Sequence, residues 1–385
     1  MSDPNPLALE IIDELTGLSY PYETLNLKAQ LKLEDKDFRV AEELAYEPTG
    51  EGEHIFIYFE RSGWCTKRIA GKISQVLGLD KRQTGYAGQK DRHAVVFQTL
   101  SFQSANLDDT DIRQKMAEHC PEIKILNISR HQHKLKIGHV KANHFKIRLR
   151  NIEGEDALEK CQARAQEIMD NGFANYYGPQ RFGLDYNNVH DGFALLKGFK
   201  RVKVADKRSF LCSALQSALF NIYLSQRIQN DFFKQIIQGD VLKKCDTGGL
   251  FADEDTASNQ VRLEAGEIVY TGPMFGAKMV QSTDMAQTFE SQILEHYHLG
   301  YNKFRKLKSN GTRRPAIIYP EQIDISPIDD DLLFKFELPS GSYATTLLSH
   351  FFELVDVGQE SKSEDNQIEE KHQKEITEEE SNEKV

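Results

Sequence analysis

The 385-residue sequence lacks any hydrophobic run long enough to cross a membrane. No segment approaches the roughly 18 uncharged residues that such a span requires, and no basic N-terminal region is followed by an apolar stretch. Hydrophobic residues make up 39% and charged residues 28%, which is typical of an ordinary soluble protein. We therefore expect a cytoplasmic protein with no membrane partner. The length suits two domains, each able to bury a sizeable core.

Cysteine is also scarce. The five cysteines are scattered, odd in number and without a Cys-x-x-Cys pair. A disulfide framework needs paired cysteines, and a structural zinc site needs closely spaced thiols. Both kinds of site are therefore disfavoured, and we expect reduced, mostly structural thiols.

Basic residues are too few to balance the acidic ones, and the formal net charge is −11. Residues 358–385 hold ten acidic residues and four lysines, so this segment carries −6 of that total. A Glu-, Lys-, Ser- and Asn-rich stretch without aromatic residues buries too little apolar surface to offset its ordering entropy. We predict a disordered acidic tail over 358–385, and the net charge then says little about the partner of the folded body.

One stretch of the body has the opposite character. Residues 129–150 contain no acidic residue, and seven lysines or arginines and four histidines alternate there with apolar side chains. This alternation predicts a pair of strands with one cationic face, which suits a phosphate backbone. A solvated strand face is the ordinary alternative, although such faces normally mix both signs of charge. The histidines, His131, His133, His139 and His144, have no carboxylate close in sequence, so metal binding is disfavoured.

The segment most suggestive of chemistry covers residues 85–102, GYAGQKDRHAVVFQTLSF. Asp91 lies there between Lys90 and Arg92, whose positive charges favour an ionised carboxylate at neutral pH. Two glycines upstream remove side chains from the approach to Asp91. Apolar residues at alternate positions from Val95 predict a half-buried strand downstream. The pattern describes an accessible anionic oxygen nucleophile, and an ordinary solvated turn is the alternative.

The same segment resembles the central signature of the TruD family of tRNA pseudouridine synthases. In that family a Gly-x-Lys-Asp-x-x-Ala segment followed by Gln carries the catalytic aspartate. Gly88, Lys90, Asp91, Ala94 and Gln98 fill those positions. The resemblance implies that Asp91 is the nucleophile. It covers nearly the whole chain up to about residue 357, in five separated motifs that follow the family's order, among them NYYGPQRFG at 175–183.

Other motifs imply residues that bind the substrate. Lys32 and Phe38 stand at the family's lysine and phenylalanine positions around KDFRVAEEL, and Asn143 and Phe145 match its second substrate motif in KANHFKIRL. The LPSGSYAT motif places Tyr343 beside the active site. The resemblance implies that a flipped-out uracil stacks between the three rings.

Two of these residues have a further chemical rationale. The Asn143 carboxamide supplies the donor and acceptor that a uracil edge requires. Lys32 would pair with the catalytic aspartate or with a phosphate. A place in the core is the alternative for Phe38 and for Tyr343.

The implied fold is α/β (α+β), the pseudouridine synthase fold with a mixed, mainly antiparallel sheet and flanking helices, plus an inserted TruD-type α/β domain. The expected boundaries are 1–171 and 315–357 for a discontinuous catalytic domain and 172–314 for the insertion. Residues 1–25 are expected to form a leader or a loosely attached arm. Thr66 offers an N-cap for a helix that follows a strand at 55–59.

The leading hypothesis is isomerisation of uridine to pseudouridine in tRNA, at position 13, by a monomer. It implies tRNA as the partner and neither a cofactor nor a metal. The sequence leaves open whether Asp91 acts as a nucleophile or as a base. A catalytically silent RNA-binding or chaperone protein with the same basic cleft is one alternative. A metal-dependent nuclease that uses Asp91 and the histidines is another, and a chelator would inactivate it.

Overall fold

The structure is a computed structural model that describes residues 5–104 and 107–358. Its helices are α1 (Pro6–Thr16), α2 (Thr66–Leu77), α3 (Asp109–His119), α4 (Ala157–Asn171), α5 (Asn187–Lys197), α6 (Ala205–Gln229), α7 (Thr256–Glu264), α8 (Asp284–His296), α9 (Tyr301–Lys306) and α10 (Ala344–Leu348). Short 3₁₀ helices cover Asp35–Asp37, Lys81–Gln83, Pro179–Arg181 and Leu184–Tyr186.

The strands are β1 (Lys28–Leu31), β2 (Phe38–Leu44), β3 (His54–Arg61), β4 (Gly85–Tyr86), β5 (Val95–Gln103), β6 (Lys124–His131), β7 (Val140–Glu153), β8 (Phe173–Ala174), β9 (Val241–Lys244), β10 (Leu250–Ala252), β11 (Ile268–Met274), β12 (Thr312–Pro315), β13 (Ile317–Ile318), β14 (Ile323–Ile328), β15 (Asp331–Pro339) and β16 (Glu353–Asp356). The predicted α/β class is confirmed. The predicted acidic tail lies, from residue 359 onwards, outside the described residues.

The described residues divide into two compact units. The sheet unit comprises residues 26–166, 320–341 and 352–358, and the helix-rich unit comprises residues 5–25, 167–319 and 342–351. The chain passes from the sheet unit to the helix-rich unit after residue 166 and returns after residue 319. Both boundaries lie within five residues of the expected limits at 171 and 315. The division differs from the expected one at two places, because 5–25 and 342–351 group with the helix-rich unit.

The sheet unit is built on one large sheet with the strand order β14-β15-β7-β2-β5-β3-β6. Strand β1 pairs with β7 and β16, and β4 pairs with β5. The pairs β2–β5 and β1–β16 are parallel, whereas the remaining pairs are antiparallel. The sheet is therefore mixed and mainly antiparallel, as predicted.

Side-chain alternation gives this sheet two distinct faces. In β2, Phe38 and Glu42 are buried and point to one side, whereas Arg39 points to the other. Phe38 lies opposite Ile147, and Glu42 lies opposite Asn143, in the neighbouring strand β7. Directly opposite residues of an antiparallel pair share a face. We call the face of Phe38 and Asn143 the front face and the face of Arg39 the back face.

Strand β5 begins four residues after Asp91, as predicted, but the prediction that it is half-buried is wrong. Nearly every residue of β5 is buried, because the strand lies between β2 and β3 in the sheet. Helix α2 adds a second layer there, since its Ile69 and Ile73 pack in one core with Ile57 and Leu100. Strands β2 and β3 and helix α2 thus fix the position of β5, and β5 anchors the end of the Asp91 loop that precedes it.

The predicted pair of basic strands also differs from the structure. Strand β6 lies at one edge of the sheet beside β3, whereas β7 lies between β15 and β2. Three strands separate them, so they do not form a single cationic face and that prediction is wrong. The alternation of charged and apolar residues indicates strands but not which strands are neighbours.

The helix-rich unit is organised around α6, a 25-residue helix that is buried along most of its length. Helices α1 and α5 and strand β11 pack against it. A four-stranded sheet, β10-β9-β11-β12, completes this core. A buried ion pair joins Arg227 of α6 to Asp240 at 2.9 Å.

The N-terminal segment is not a loosely attached arm, and that expectation is wrong. Residues 6–16 form α1, capped by Asn5, whose side chain accepts a hydrogen bond from the backbone N–H of Leu7. Its apolar positions Ile11 and Leu15 are buried in the core that contains α6. The apolar spacing in PLALEIIDEL follows a helical period, which could have indicated this packing.

The packing of α1 can be tested with two alanine substitutions on the same helix. Ile11 is 0% exposed and Leu9 is 43% exposed. Ile11→Ala should lower the free energy of unfolding by about 2–4 kcal/mol, because it leaves a cavity in the core. Leu9→Ala should change it by less than about 0.5 kcal/mol. Urea denaturation measures both, and equal small effects would contradict the packing of α1.

Candidate active site

The Asp91 loop is held from behind by Arg61, the last residue of β3. Arg61 is 1% exposed, and its guanidinium donates hydrogen bonds to the backbone carbonyls of Trp64, Lys90 (3.4 Å) and Asp91 (2.9 Å). Burial lowers the pKa of Arg61 to about 10, so it stays charged at neutral pH. Arg61 therefore fixes the backbone of Asp91.

A second contact fixes the same loop through Thr66. The Thr66 hydroxyl accepts a hydrogen bond from the backbone N–H of Lys90 at 2.9 Å and donates one to Gln98 Oε1 at 3.2 Å. Gln98 in turn donates from Nε2 to the carbonyl of Gly88 at 2.9 Å. Thr66, Gln98, Gly88 and Lys90 thus form a closed set of hydrogen bonds around the loop.

Lys32 supplies the positive charge beside the Asp91 carboxylate. Its Nζ lies 3.2 Å from Asp91 Oδ2 and 3.5 Å from Asp356 Oδ2. The Lys32 side chain is 3% exposed and that of Asp91 is 36% exposed. Burial acts to lower the pKa of Lys32, but the two carboxylates outweigh it and raise that pKa above its usual value. The predicted pairing of Lys32 with Asp91 is present in the geometry.

Lys32 also has an uncommon backbone conformation. Its φ is +59°, which lies in the left-handed region, and residues with a Cβ seldom adopt it outside constrained positions. This conformation costs on the order of 1 kcal/mol for a lysine. The two ion pairs offset that cost and direct the ammonium at Asp91.

Two of the three aromatic residues predicted from the motifs, Phe38 and Phe145, lie together on the front face. The Lys32 ammonium is 4.7 Å from the centroid of the Phe38 ring. Phe38 meets Phe145 edge to face, with centroids 5.9 Å apart, and Phe145 stacks on Phe336 at 5.3 Å. Phe38 and Phe336 are each 5% exposed, whereas Phe145 is half-buried. The structure therefore brings Phe38, Phe145 and Lys32 into one group with Asp91.

Asn143 lies on the front face and is engaged by the loop lysine. Lys90 Nζ donates to Asn143 Oδ1 at 2.8 Å and lies 3.2 Å from Glu42 Oε2. The other Glu42 oxygen accepts a hydrogen bond from the backbone N–H of Thr99 at 2.6 Å. Of the two functions expected for the Asn143 carboxamide, the acceptor is already occupied within the protein.

Tyr343 belongs to the helix-rich unit, at the N-cap position of α10. Its ring meets that of Tyr177, with centroids 5.8 Å apart, and the Arg314 guanidinium lies 3.9 Å from the Tyr177 ring centroid. The group of contacts around Asp91 in the sheet unit is thus made by Lys32, Phe38 and their neighbours. Tyr343 is placed by a different set of side chains.

Three of the seven lysines and arginines in the basic stretch pair with acidic residues from elsewhere in the chain. Lys141 pairs with Glu43 at 2.7 Å, and Arg150 pairs with Asp37 at 2.8 Å. Arg148 pairs with Asp331, also at 2.7 Å. A run without acidic residues in sequence is therefore a poor guide to the charge of the surface that it forms.

His144 has no carboxylate close in sequence, but the fold brings two carboxylates to it. Its Nε2 lies 3.0 Å from Glu43 and its Nδ1 lies 3.4 Å from Glu337, both from neighbouring strands. Among the described residues, His144, Glu43 and Glu337 form one of two groups of three side chains close enough together to hold a metal ion, the other being Glu10, Glu14 and His296. Asp91 belongs to neither group, so the geometry of this part of the chain does not favour the nuclease hypothesis.

A concavity of about 580 Å³ lies over the middle of the sheet, away from Asp91. Most of its lining comes from the back face, including Arg39, His144 and Lys146. Strand alternation puts these side chains opposite to Phe38 and Asn143. The concavity is therefore separate from the group of residues around the Asp91 loop.

Three important residues escaped the sequence reasoning. Glu42 and Arg61 end alternating apolar runs at inward positions, Phe38-Val40-Glu42 in β2 and the run that ends β3. A charged side chain at an inward strand position is the signal that could have found them. Thr66 was expected to cap α2, but Cys65 occupies the N-cap position, and the Thr66 hydroxyl holds the Asp91 loop instead.

The amino-acid sequence of this chain is similar to those of known proteins. A model of the family described as tRNA pseudouridine synthase D (TruD) matches residues 15–204 and 200–351. A tRNA pseudouridine synthase D from Aeromonas hydrophila subsp. hydrophila is 34% identical over 355 residues, covering 91% of this chain and 99% of that protein. One from Anaeromyxobacter sp. strain Fw109-5 is 37% identical over 338 residues, covering 86% and 93%. The chain belongs to the TruD family of tRNA pseudouridine synthases.

The fold of this TruD-family chain also matches a solved structure. A crystal structure from Methanosarcina mazei, described as a tRNA pseudouridine synthase D (TruD), is similar with a TM-score of 0.71 and 21% identity. The match covers 92% of this chain and 99% of that one. The fold is thus that of the TruD structure. Across residues 5–104 and 107–358, no helix combines the length and the apolar character needed to cross a membrane.

The contact of Thr66 with the loop can be tested by its stability. Thr66 is 1% exposed, so Thr66→Val should leave the backbone N–H of Lys90 without its acceptor and destabilise the TruD-family fold by about 1–3 kcal/mol. Thr66→Ser keeps the hydroxyl and should recover most of that loss. The free energy of unfolding in urea measures both variants. A valine variant as stable as the serine variant would contradict the role of this hydroxyl.

Proposed function

We propose that this enzyme isomerises uridine to pseudouridine in tRNA, at position 13, with Asp91 as the nucleophile. Membership in the TruD family supports the reaction class, an isomerase reaction. The observation that carries the assignment of the nucleophile is the geometry of Asp91. Its backbone is held by Arg61, while its carboxylate lies 3.2 Å from Lys32 and remains 36% exposed.

This arrangement suits a carboxylate nucleophile in two ways. The nearby Lys32 ammonium stabilises the ionised form, because opposite charges attract strongly where water is partly excluded. The fixed backbone keeps the oxygen in place before the substrate arrives, so little reorganisation is needed during the reaction. Asp356, the other carboxylate on Lys32, is less exposed at 14%. Asp91 is thus the more accessible of the two.

The proposed reaction conserves atoms and electrons. A carboxylate oxygen of Asp91 attacks the sugar carbon, and the bond from that carbon to uracil N1 breaks. The uracil turns, its C5 bonds to the sugar carbon, and the carboxylate leaves. The proton on C5 is lost and N1 gains one. Because no electrons are gained or lost overall, the reaction needs no redox cofactor, and none of these proposed steps uses a metal.

The base has to leave the RNA stack to reach Asp91. Phe145 is half-buried on the front face and is the ring most available for stacking, which is worth roughly 1–3 kcal/mol per base. The Phe38 ring contacts both the Phe145 ring and the Lys32 ammonium. We assign Tyr343 to substrate binding, as the resemblance implies. These assignments make Lys32, Phe38, Asn143, Phe145 and Tyr343 the proposed substrate-binding residues.

The two units then have different roles. We assign catalysis to the sheet unit, which holds Asp91, Lys32 and Asn143, and additional tRNA binding to the helix-rich unit. The enzyme is proposed to act as a monomer. A silent RNA-binding protein would show the same affinity for tRNA without turnover, so a catalytic measurement separates the two functions.

Two substitutions next to the same lysine test the nucleophile. Asp91→Asn should lower the single-turnover rate of pseudouridine formation by at least about 10³-fold while tRNA affinity stays nearly unchanged. Asp356→Asn removes the other carboxylate on Lys32 and should lower the rate by less than about tenfold.

Both rates are measured on one tRNA transcript with a chelator present throughout. Residual activity of Asp91→Asn within tenfold of the wild-type rate would contradict the assignment. An equal loss in both variants would show that the charge around Lys32 matters and the identity of Asp91 does not.

A further inference from the structure

The orientation of the Asn143 carboxamide is fixed by the residue before the nucleophile. Lys90 Nζ lies 2.8 Å from Asn143 Oδ1. An ammonium group has three donors and no acceptor, so only the amide oxygen can face it favourably. The usual ambiguity between amide oxygen and nitrogen is therefore resolved by chemistry. The amide nitrogen Nδ2 of Asn143 points away from Lys90.

The nitrogen is left available for a ligand. Within the part of the chain that the structure describes, Asn143 Nδ2 makes no hydrogen bond. Nδ2 is not a buried atom, so it has access to solvent. The residue as a whole is only 9% exposed. One donor is thus presented from an otherwise enclosed side chain.

Lys90 is itself held by a buried carboxylate. Glu42 Oε2 lies 3.2 Å from Lys90 Nζ, and the two side chains are 0% and 9% exposed. Glu42 Oε1 accepts the backbone N–H of Thr99 at 2.6 Å. Glu42 and Asn143 are direct partners in the register of β2 and β7. The ammonium is therefore held by one hydrogen-bond acceptor, Asn143 Oδ1, and by one ion-pair partner, Glu42, on the same face of the sheet.

The symmetry of the two uracil carbonyls suits a donor such as the Asn143 amide nitrogen. Turning the ring by half a turn about the line from N3 to C6 exchanges N1 with C5. The same rotation exchanges the carbonyl at C2 with the carbonyl at C4. A donor placed beside one carbonyl before the rotation therefore meets a carbonyl again afterwards. Cytosine has an amino group at C4, so the same donor would face another donor in one of the two orientations.

We propose that Lys90 is a positioning residue that turns the Asn143 amide nitrogen toward the uracil, where it donates to a carbonyl oxygen both before and after the base rotates. Glu42 holds Lys90 in this role. The inference rests on the proposed isomerisation and adds how the site recognises the base. It predicts that specificity for uracil over cytosine depends on a lysine that does not itself touch the base.

The first test separates orientation from folding. Lys90→Met alone would leave the Glu42 carboxylate buried and unpaired, which destabilises proteins strongly. The informative variant is therefore Lys90→Met combined with Glu42→Gln, and the matched control is Glu42→Gln alone, in which Lys90 still donates to Asn143. Thermal unfolding, tRNA Kd and the single-turnover rate are measured for both.

We expect both variants to keep a cooperative thermal transition and a tRNA Kd within about threefold of wild type. The rate should fall by at least about tenfold in the double variant, and Glu42→Gln alone should retain more activity than the double variant, because Lys90 still donates to Asn143 there. Equal rates in the two variants would overturn the role of Lys90. If wild-type protein forms no pseudouridine, the proposed function fails as a whole, which is a different result.

The second test reads the hydrogen bond directly. Sulfur accepts hydrogen bonds weakly, so tRNA with 2-thiouridine or with 4-thiouridine at the target position weakens one carbonyl contact at a time. Wild-type enzyme should be slowed by about tenfold on each substrate relative to uridine. The double variant should show little further slowing, because its amide no longer points at the base. A wild-type rate that is unaffected by both sulfur substitutions would overturn the proposal.

Discussion

A buried guanidinium fixes the conformation on which the candidate site depends. Arg61 ends β3 inside the protein and is bound by backbone carbonyls, including those of Lys90 and Asp91. Burying a charge costs several kcal/mol unless hydrogen bonds compensate, so the folded state is favoured only when the loop brings its carbonyls to Arg61. The free energy of folding thereby selects one loop conformation. That conformation carries Asp91 at its tip.

Two buried lysines, Lys90 and Lys32, pair with different carboxylates. Lys90 is enclosed with Glu42 and acts within the protein, whereas Lys32 lies between Asp91 and Asp356. The side chains of Glu42, Asp91 and Asp356 are 0%, 36% and 14% exposed, so access to solvent is greatest at Asp91. The site thus contains several charges but offers one of its carboxylates most openly to a substrate. This asymmetry is what a single-nucleophile mechanism requires.

The sequence predicted the elements better than their arrangement. The strand after Asp91, the helix after β3 and the α/β class could be derived from periodicity, because local patterns encode local structure. The buried character of β5 and the separation of β6 from β7 could not, because they depend on which strands become neighbours. The pairing of Lys141, Arg148 and Arg150 with distant carboxylates was missed for the same reason. Motif resemblance supplied Asp91 and Lys32, which the structure brings within 3.2 Å of each other.

The supporting residues show where sequence reasoning ends. Glu42 and Arg61 were missed as functional residues because their inward strand positions indicate burial but not which groups each side chain contacts. Thr66 was assigned a role in its own helix, although its hydroxyl serves a loop 24 residues later in the chain. Such contacts arise only when the sheet and α2 are assembled.

The most direct test of this account is pseudouridine mapping of total tRNA incubated with wild-type protein or with Asp91→Asn, in the presence of a chelator. The account predicts new pseudouridine at position 13 with the wild-type protein and none with the variant. Tight binding of tRNA without any new pseudouridine, or equal modification by both proteins, would contradict it.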